Sequence, residues 1–296
     1  KAMEAVSAVK MRKSEQTALR ARPYALAALE VLRGVTAKLD SDLSNISPLL
    51  KSEVSSSPRS DLVKPKCLLV VTSDKGLAGS FNTNVLKKAF RFVKENPTVE
   101  IIAVGKKGRD FLSRRGGKIV SEHTGAGDYV ELSETLPIST FVQKGFENKR
   151  WSDVTLLYTN FLSALKQEVI LRKILPFDFS TLSSIVDGIT PEKGKYANTP
   201  KVLSSKRDIH SDYVYEPDPK TILNELLPTL LQIEVHHAIL EGNASEHSSR
   251  MVAMKNASEN AGELIDDLTL LYNKARQAQI TKELTEITAG ASALES

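Results

Sequence analysis

Ile280-Thr281-Lys282-Glu283-Leu284-Thr285-Glu286-Ile287-Thr288-Ala289-Gly290-Ala291-Ser292-Ala293 closes a helical segment that opens about sixty residues earlier. Reading back from it, Met254, Ala257, Ala261, Leu264, Leu268, Leu271, Ala275 and Ala278 recur at intervals of 3, 4, 3, 4, 3, 4 and 3. This is the heptad spacing of a helix that supercoils against a partner. The partner is sought at the other end of the chain. Ala25, Ala28, Leu32, Val35, Leu39, Asp42, Ile46 and Leu49 repeat the same spacing with one polar lapse, in a stretch from Lys1 to about Val54 whose breakers are Pro23, Gly34 and Pro48. Pro23 is expected to kink or divide that first helix. At about 1.5 Å per residue the first helix would reach roughly 80 Å and the last, from Pro219, roughly 110 Å.

Between them the pattern changes. Ser55-Ser56-Ser57-Pro58 marks a linker over 51–60. Short apolar runs then alternate with amphipathic stretches. Strands are predicted at Cys67–Thr72, Val99–Val104, Lys118–Val120 and Asp153–Tyr158, and helices at Asn84–Lys94, Lys107–Arg115 and Ser139–Asn148. Such alternation implies a mostly parallel sheet covered by helices, with Gln167–Leu175 as an added edge strand. Leu182 to Ser211, rich in Ser, Gly, Pro and Lys, reads as an exposed excursion. Asp218-Pro219 supplies an N-cap and a first-turn proline for the last helix, in which Pro228, Gly242 and Gly262 are interior breakers. The predicted class is therefore α/β plus a long antiparallel α-helical coiled coil. The N-terminal helix (1–60) and the C-terminal helix (218–296) pair around a central Rossmann-like domain (61–217).

The 296 residues, 41% hydrophobic and 26% charged, describe an ordered chain, and no apolar run is long enough to span a membrane. A formal charge of +4 is too small to argue for nucleic acid. The single Cys67 excludes an internal disulfide and a multi-cysteine metal site. The chain opens at Lys1, already in a helical pattern, which suggests residues missing upstream.

No stretch carries a catalytic constellation. Ser73-Asp74-Lys75-Gly76-Leu77-Ala78-Gly79-Ser80 stands where a phosphate-cradling loop would, yet it lacks the Gly-Lys-Ser/Thr ending and the dinucleotide spacing, so a structural turn is the better reading. Gly105-Lys106-Lys107-Gly108-Arg109 reads the same way. His236, His237 and His247 make no zinc-hydrolase pattern, Asp266 and Asp267 diverge around their helix, and no Gly-x-Ser-x-Gly elbow occurs. Charge placement says more. Lys1, Lys10, Arg12, Lys13, Arg20 and Arg22 face only Glu4 and Glu15 within residues 1–22, while Glu283, Glu286 and Glu295 oppose Lys282 at the other end. A basic stretch on a rod suits an acidic partner surface.

Ile280 to Ala293 resembles the signature of the gamma subunit of the F-type ATP synthase. Further similarity lies in Lys1-Ala2-Met3-Glu4-Ala5-Val6 with Lys10-Met11-Arg12-Lys13, in Ser73 to Asn82, in Ser245 to Lys255, and in Tyr215-Glu216-Pro217-Asp218-Pro219. The resemblance implies a non-catalytic central stalk, a rotor shaft that couples proton or sodium flow to ATP synthesis or hydrolysis. It implies a ring of three alpha and three beta subunits around the coiled coil, and the epsilon subunit and membrane c-ring beneath the α/β domain. No cofactor or metal is implied. By similarity Met3, Lys10, Arg12 and Lys13 face an acidic loop of beta, Arg276, Gln277, Thr281, Glu283 and Glu286 make the upper contacts, and Tyr215 and Glu216 lie near the rotor ring. The excursion is longer than in mitochondrial relatives. It favours the cytoplasmic face of a bacterial membrane, with the matrix face of the mitochondrial inner membrane as the alternative. Cys67 alone cannot form the regulatory pair of the chloroplast branch, and Ala78 stands where many relatives have Cys.

Overall fold

The computed structural model describes residues 1–37, 47–50, 64–125, 127–177 and 215–294. The linker at 51–60 and the excursion at 182–211 lie outside them. Two helices dominate: α1, Ala2–Ala37, and the last helix, α5, Pro219–Leu294. Asp218 opens α5 as its sequence promised. Its Oδ1 accepts from the amides of Lys220 at 2.8 Å and Thr221 at 3.0 Å, and its Oδ2 from the Thr221 hydroxyl at 2.7 Å. Those bonds satisfy orphan donors of the first turn and lower the carboxyl's pKa. α5 runs unbroken through Pro228, and α1 through Pro23.

The pair is antiparallel. Lys10 of α1 and His247 of α5 meet on one carboxylate, Asp128, whereas near the far end of α1 a Cβ on Gly34 would stand 2.2 Å from the Tyr215 hydroxyl. Gly34 is thus the close approach that lets Tyr215 in under α1. Counting from the Lys10 level, Lys1 stands beside about residue 256 of α5. The heptad positions from Ala257 to Ala278 accordingly do not pair with α1. They are exposed, and the seam of α1 (Ala28, Leu32, Val35) packs against the first half of α5 instead. Leu49 was expected to continue that seam. It lies in a turn at 47–50, where Leu50 bridges to Phe177 and Leu49 is buried in the core of the α/β domain. Leu39, Asp42 and Ile46 fall outside the described residues.

The sheet has the order β3-β2-β1-β4-β5. Its strands are β1 Cys67–Val71, β2 Glu100–Val104, β3 Lys118–His123, β4 Val154–Phe161 and β5 Gln167–Leu175. The first four are mutually parallel and β5 is an edge strand, as read from the sequence; its pairing with β4 is antiparallel. Helices α2 (Phe81–Glu95), α3 (Lys106–Ser113) and α4 (Leu132–Glu147) connect them. α4 begins seven residues before the expected Ser139 and carries Pro137 inside it. β1 and β2 are buried at every position, the mark of a parallel sheet covered on both faces. Leu68, Val70, Ile101 and Leu157 face α2 and α3 through Val85, Ala89 and Leu112. Cys67, Leu69, Val71, Leu156 and Tyr158 face α4 and α5. The stem of the last helix is therefore a layer of the domain itself, which is why residues 230–241 are buried almost all round. At the amino end of β2 Glu100 is buried as an anchor, accepting from Arg150 and Trp151 at 2.7 Å each and from Lys118 at 2.8 Å. Burial works against its charge, but these bonds outweigh it and hold the carboxyl down at about 2.

Candidate functional site

In open parallel sheets a ligand binds at the carboxyl ends of the strands, where the strand order reverses. Here the reversal falls between β1 and β4, and α5 lies across it. Ser245 donates to the Thr159 carbonyl near the end of β4 at 3.2 Å, Ser248 to the Ala164 carbonyl in the loop that follows at 2.5 Å, and Ser249 to Oε1 of Gln167 at the start of β5 at 2.8 Å. On the β1 side Arg250 donates from Nε and Nη2 to the Gly76 carbonyl at 3.3 and 3.1 Å. The loop at 72–80 is also filled from within. The Ser73 amide is taken by Asn82, and Asp74 accepts from the amides of Lys106 at 2.8 Å and Gly125 at 2.7 Å. Gly105, at φ 95°, passes so close to Thr72 that a Cβ would meet its carbonyl oxygen at 2.1 Å. The crevice that would cradle a phosphate is plugged by the chain's own helix.

The expected contact residues fall in three places. Met3 and Arg12 stand exposed on α1, and Lys13 is exposed with its ammonium 3.8 Å over the Tyr129 ring. Lys10 is half-buried and turned inward, its Nζ 2.5 Å from Asp128 Oδ2. Arg276, Gln277, Thr281, Glu283 and Glu286 lie on the exposed half of α5, roughly 33 to 48 Å further along the axis than Met3. Among the described residues their bonds are local: Thr281 to the Gln277 carbonyl, Thr285 to the Thr281 carbonyl, Gln279 to Glu283, Lys282 to Glu286. Around them Leu264, Leu268, Leu271, Leu284 and Ile287 are each more than half exposed. Tyr215 and Glu216 sit at the opposite end, Tyr215 packed against α1 and Glu216 exposed.

Sequence reading missed the group that joins these parts. The loop after β3 carries Asp128, and nothing in Gly125-Ala126-Gly127-Asp128-Tyr129 marks it beforehand. Besides Lys10, Asp128 meets His247 Nε2 at 3.3 Å, while its carbonyl accepts from Ser14 at 3.3 Å. Burial pushes the His247 imidazole down to about 4, so the ring is neutral at neutral pH. Arg250 Nη1 lies 3.2 Å from His247 Nδ1, and an arginine can only donate. The ring proton therefore sits on Nε2 and points at Asp128. A sequence signal existed for this half: His247 and Arg250 stand three apart on one helix face.

A second polar group lies deeper, between β4, β5 and α5. Arg172 donates to Glu234 at 3.2 Å, and the Tyr158 hydroxyl bonds Glu241, which also has His237 Nδ1 at 3.7 Å. One guanidinium serves two buried carboxyls whose Oε2 atoms have no hydrogen-bond partner among the described residues. Burial pushes Glu241 up to about 8 against the pull of Arg172, and the neighbouring Glu234 adds to the rise. His236 turns away to Thr135 at 3.3 Å, so the three helical histidines serve three different sets of neighbours.

The family model described as ATP synthase matches residues 1–294. The ATP synthase gamma chain of Roseiflexus sp. (strain RS-1) is 40% identical over 302 residues, covering 99% of this chain and 92% of that one. The chain belongs to the ATP synthase gamma family. The gamma chain of Chloroflexus aurantiacus (strain ATCC 29366 / DSM 635 / J-10-fl) is 38% identical over 300 residues, covering 100% and 93%. Among solved structures, the central stalk and c-ring of the Tetrahymena thermophila mitochondrial ATP synthase shares the fold, with a TM-score of 0.59 at 23% identity over 87% of this chain and 98% of that one. As a gamma-family member the chain serves ATP synthase as a stalk subunit and not as its catalytic one, and its partners are other subunits of that assembly. No helix among the described residues is long and apolar enough to cross a membrane.

Proposed function

We propose that this stalk subunit is the rotating shaft of an F-type ATP synthase. It would couple turning of the membrane c-ring, driven by proton or sodium flow, to ATP synthesis or hydrolysis at sites held by three alpha and three beta subunits. The observation that carries this reading is the outer half of α5. It continues without interruption from a stem buried in the α/β domain, and among the described residues it bears an exposed apolar row from Leu264 to Ile287, a face shaped to pack against a further helix or subunit. In this reading the outer half turns inside the alpha and beta ring. The α/β domain sits beneath, on the c-ring and beside epsilon. Met3, Arg12 and Lys13 face an acidic surface of beta, with Lys10 behind them held by Asp128. Arg276, Gln277, Thr281, Glu283 and Glu286 make the upper contacts, and Tyr215 and Glu216 lie towards the ring below. Bacterial relatives support the cytoplasmic face of a bacterial membrane, with the mitochondrial matrix face as the alternative.

The test is co-purification of the tagged chain from native membranes. Three alpha and three beta chains per tag, with ATPase activity, is the expected result. A tagged chain that comes away alone overturns the shaft reading.

A further inference from the structure

Asp128 stands on a continuous polar path through four elements. From the loop after β1, the Gly76 carbonyl accepts from Arg250 of α5. Arg250 also donates to His247, one turn back on the same helix. His247 donates to Asp128 in the loop after β3, and Asp128 accepts from Lys10 of α1. Asp74 closes the circuit by accepting from Gly125, so the two loops are tied to each other as well as to the two helices. Flanking bonds hold the same loop: Ser14 to the Asp128 carbonyl, Asn243 to the Gly127 carbonyl, and Lys13 over Tyr129.

From this path we infer that Asp128 is a positioning residue of the stalk, fixing the angle at which the α1/α5 pair stands on the α/β domain and hence the stiffness with which turning passes between them. The inference rests on the shaft reading. Its physical ground is a difference in directionality. Below the clasp the helix pair meets the domain mainly through apolar contacts, which resist separation but define no angle, and the polar bonds described there, Arg172 to Glu234 among them, reach α5 and not α1. Charge-assisted hydrogen bonds do define one. Asp128 makes them to both helices at once, roughly 40 Å up the axis from the first turn of α5, where a small tangential displacement corresponds to a small rotation. Burial disfavours its charge, but Lys10, with His247 and Lys75 nearby, keeps the carboxyl ionised.

The experiment uses the assembled ATPase with the alpha and beta ring fixed and a bead on the α/β domain, and reads the variance of the bead's angle in the absence of nucleotide. Asp128→Asn keeps the shape and removes the charge. Variance should rise about twofold, since charge-assisted bonds are roughly twice as strong as neutral ones. Assembly ratio and hydrolysis rate should stay unchanged, and Asp128→Glu should restore most of the stiffness. Lys10→Gln removes the other side of the contact. It should broaden the angle alike, and the double variant should be no broader than either single one. Unchanged variance in Asp128→Asn, or additive broadening in the double variant, overturns the proposal. Should Asp128→Asn fail to assemble, Lys10→Gln decides by the same reading. Failure of the unaltered chain to assemble overturns the shaft reading, and this proposal with it.

Discussion

Glu241 and Glu100 show one residue type driven in opposite directions by its surroundings. Glu100 has three donors and is held at about 2. Glu241 shares one guanidinium with Glu234 inside the domain and is pushed up to about 8. The sign for Glu241 follows from linkage. A carboxyl whose folded value is raised above its ordinary 4.5 holds a proton that the unfolded chain releases. The folded state is thus favoured fully below pH 4.5 and loses that contribution as pH climbs through about 8. Glu241→Gln, which cannot ionise, should flatten the fall in the chain's urea midpoint between those limits and leave the variant the more stable of the two at pH 9. An unchanged slope would show that Glu241 is ionised when folded. None of this was legible in the sequence. Glu234 and Glu241 stand seven apart, on the same face as Leu227 and Leu231, and only the approach of β4 and β5 turns that face inward.

α5 is one element in two environments. Leu227 is fully buried between sheet and α1, while Leu268, at an equally good heptad position, is 54% exposed. Leu227→Ala should lower the stability of the isolated chain by about 2–5 kcal/mol. Leu268→Ala should leave it within about 0.5 kcal/mol, as surface changes do, and act instead on assembly with the ring. Equal losses in urea unfolding would mean that the outer half packs against its own chain. The heptad spacing gave the helix and its apolar stripe correctly, because periodicity is local. It did not give the register between the two helices. Which stretch lies beside which is set by register, and the register is fixed by Asp128 and Tyr215, neither of which belongs to the repeat. The start of α5 was legible to the residue, since the Asp218 cap is made by atoms within three positions of one another.

At the scale of the molecule, a sheet of the nucleotide-binding type has its crevice closed by a helix that leaves the domain as a rod. In the assembled ATPase, a photoreactive ATP analogue is therefore expected to leave the peptide at 72–80 unlabelled at concentrations that saturate labelling elsewhere in the complex. Saturable labelling of that loop would reopen the crevice as a site. By itself the sequence determined the alternation of strands and helices, the added edge strand at Gln167–Leu175, the two terminal helices, the absence of a P-loop pattern and the family signature. All of these reside in spacing along the chain. Only the tertiary structure decided that the stem of α5 is a layer of the domain, that Lys10 turns inward to Asp128, and that Arg250 and three serines seal the crevice. These contacts join residues 80 to 170 or more positions apart, and no local pattern records which distant carbonyl or carboxylate a side chain will meet.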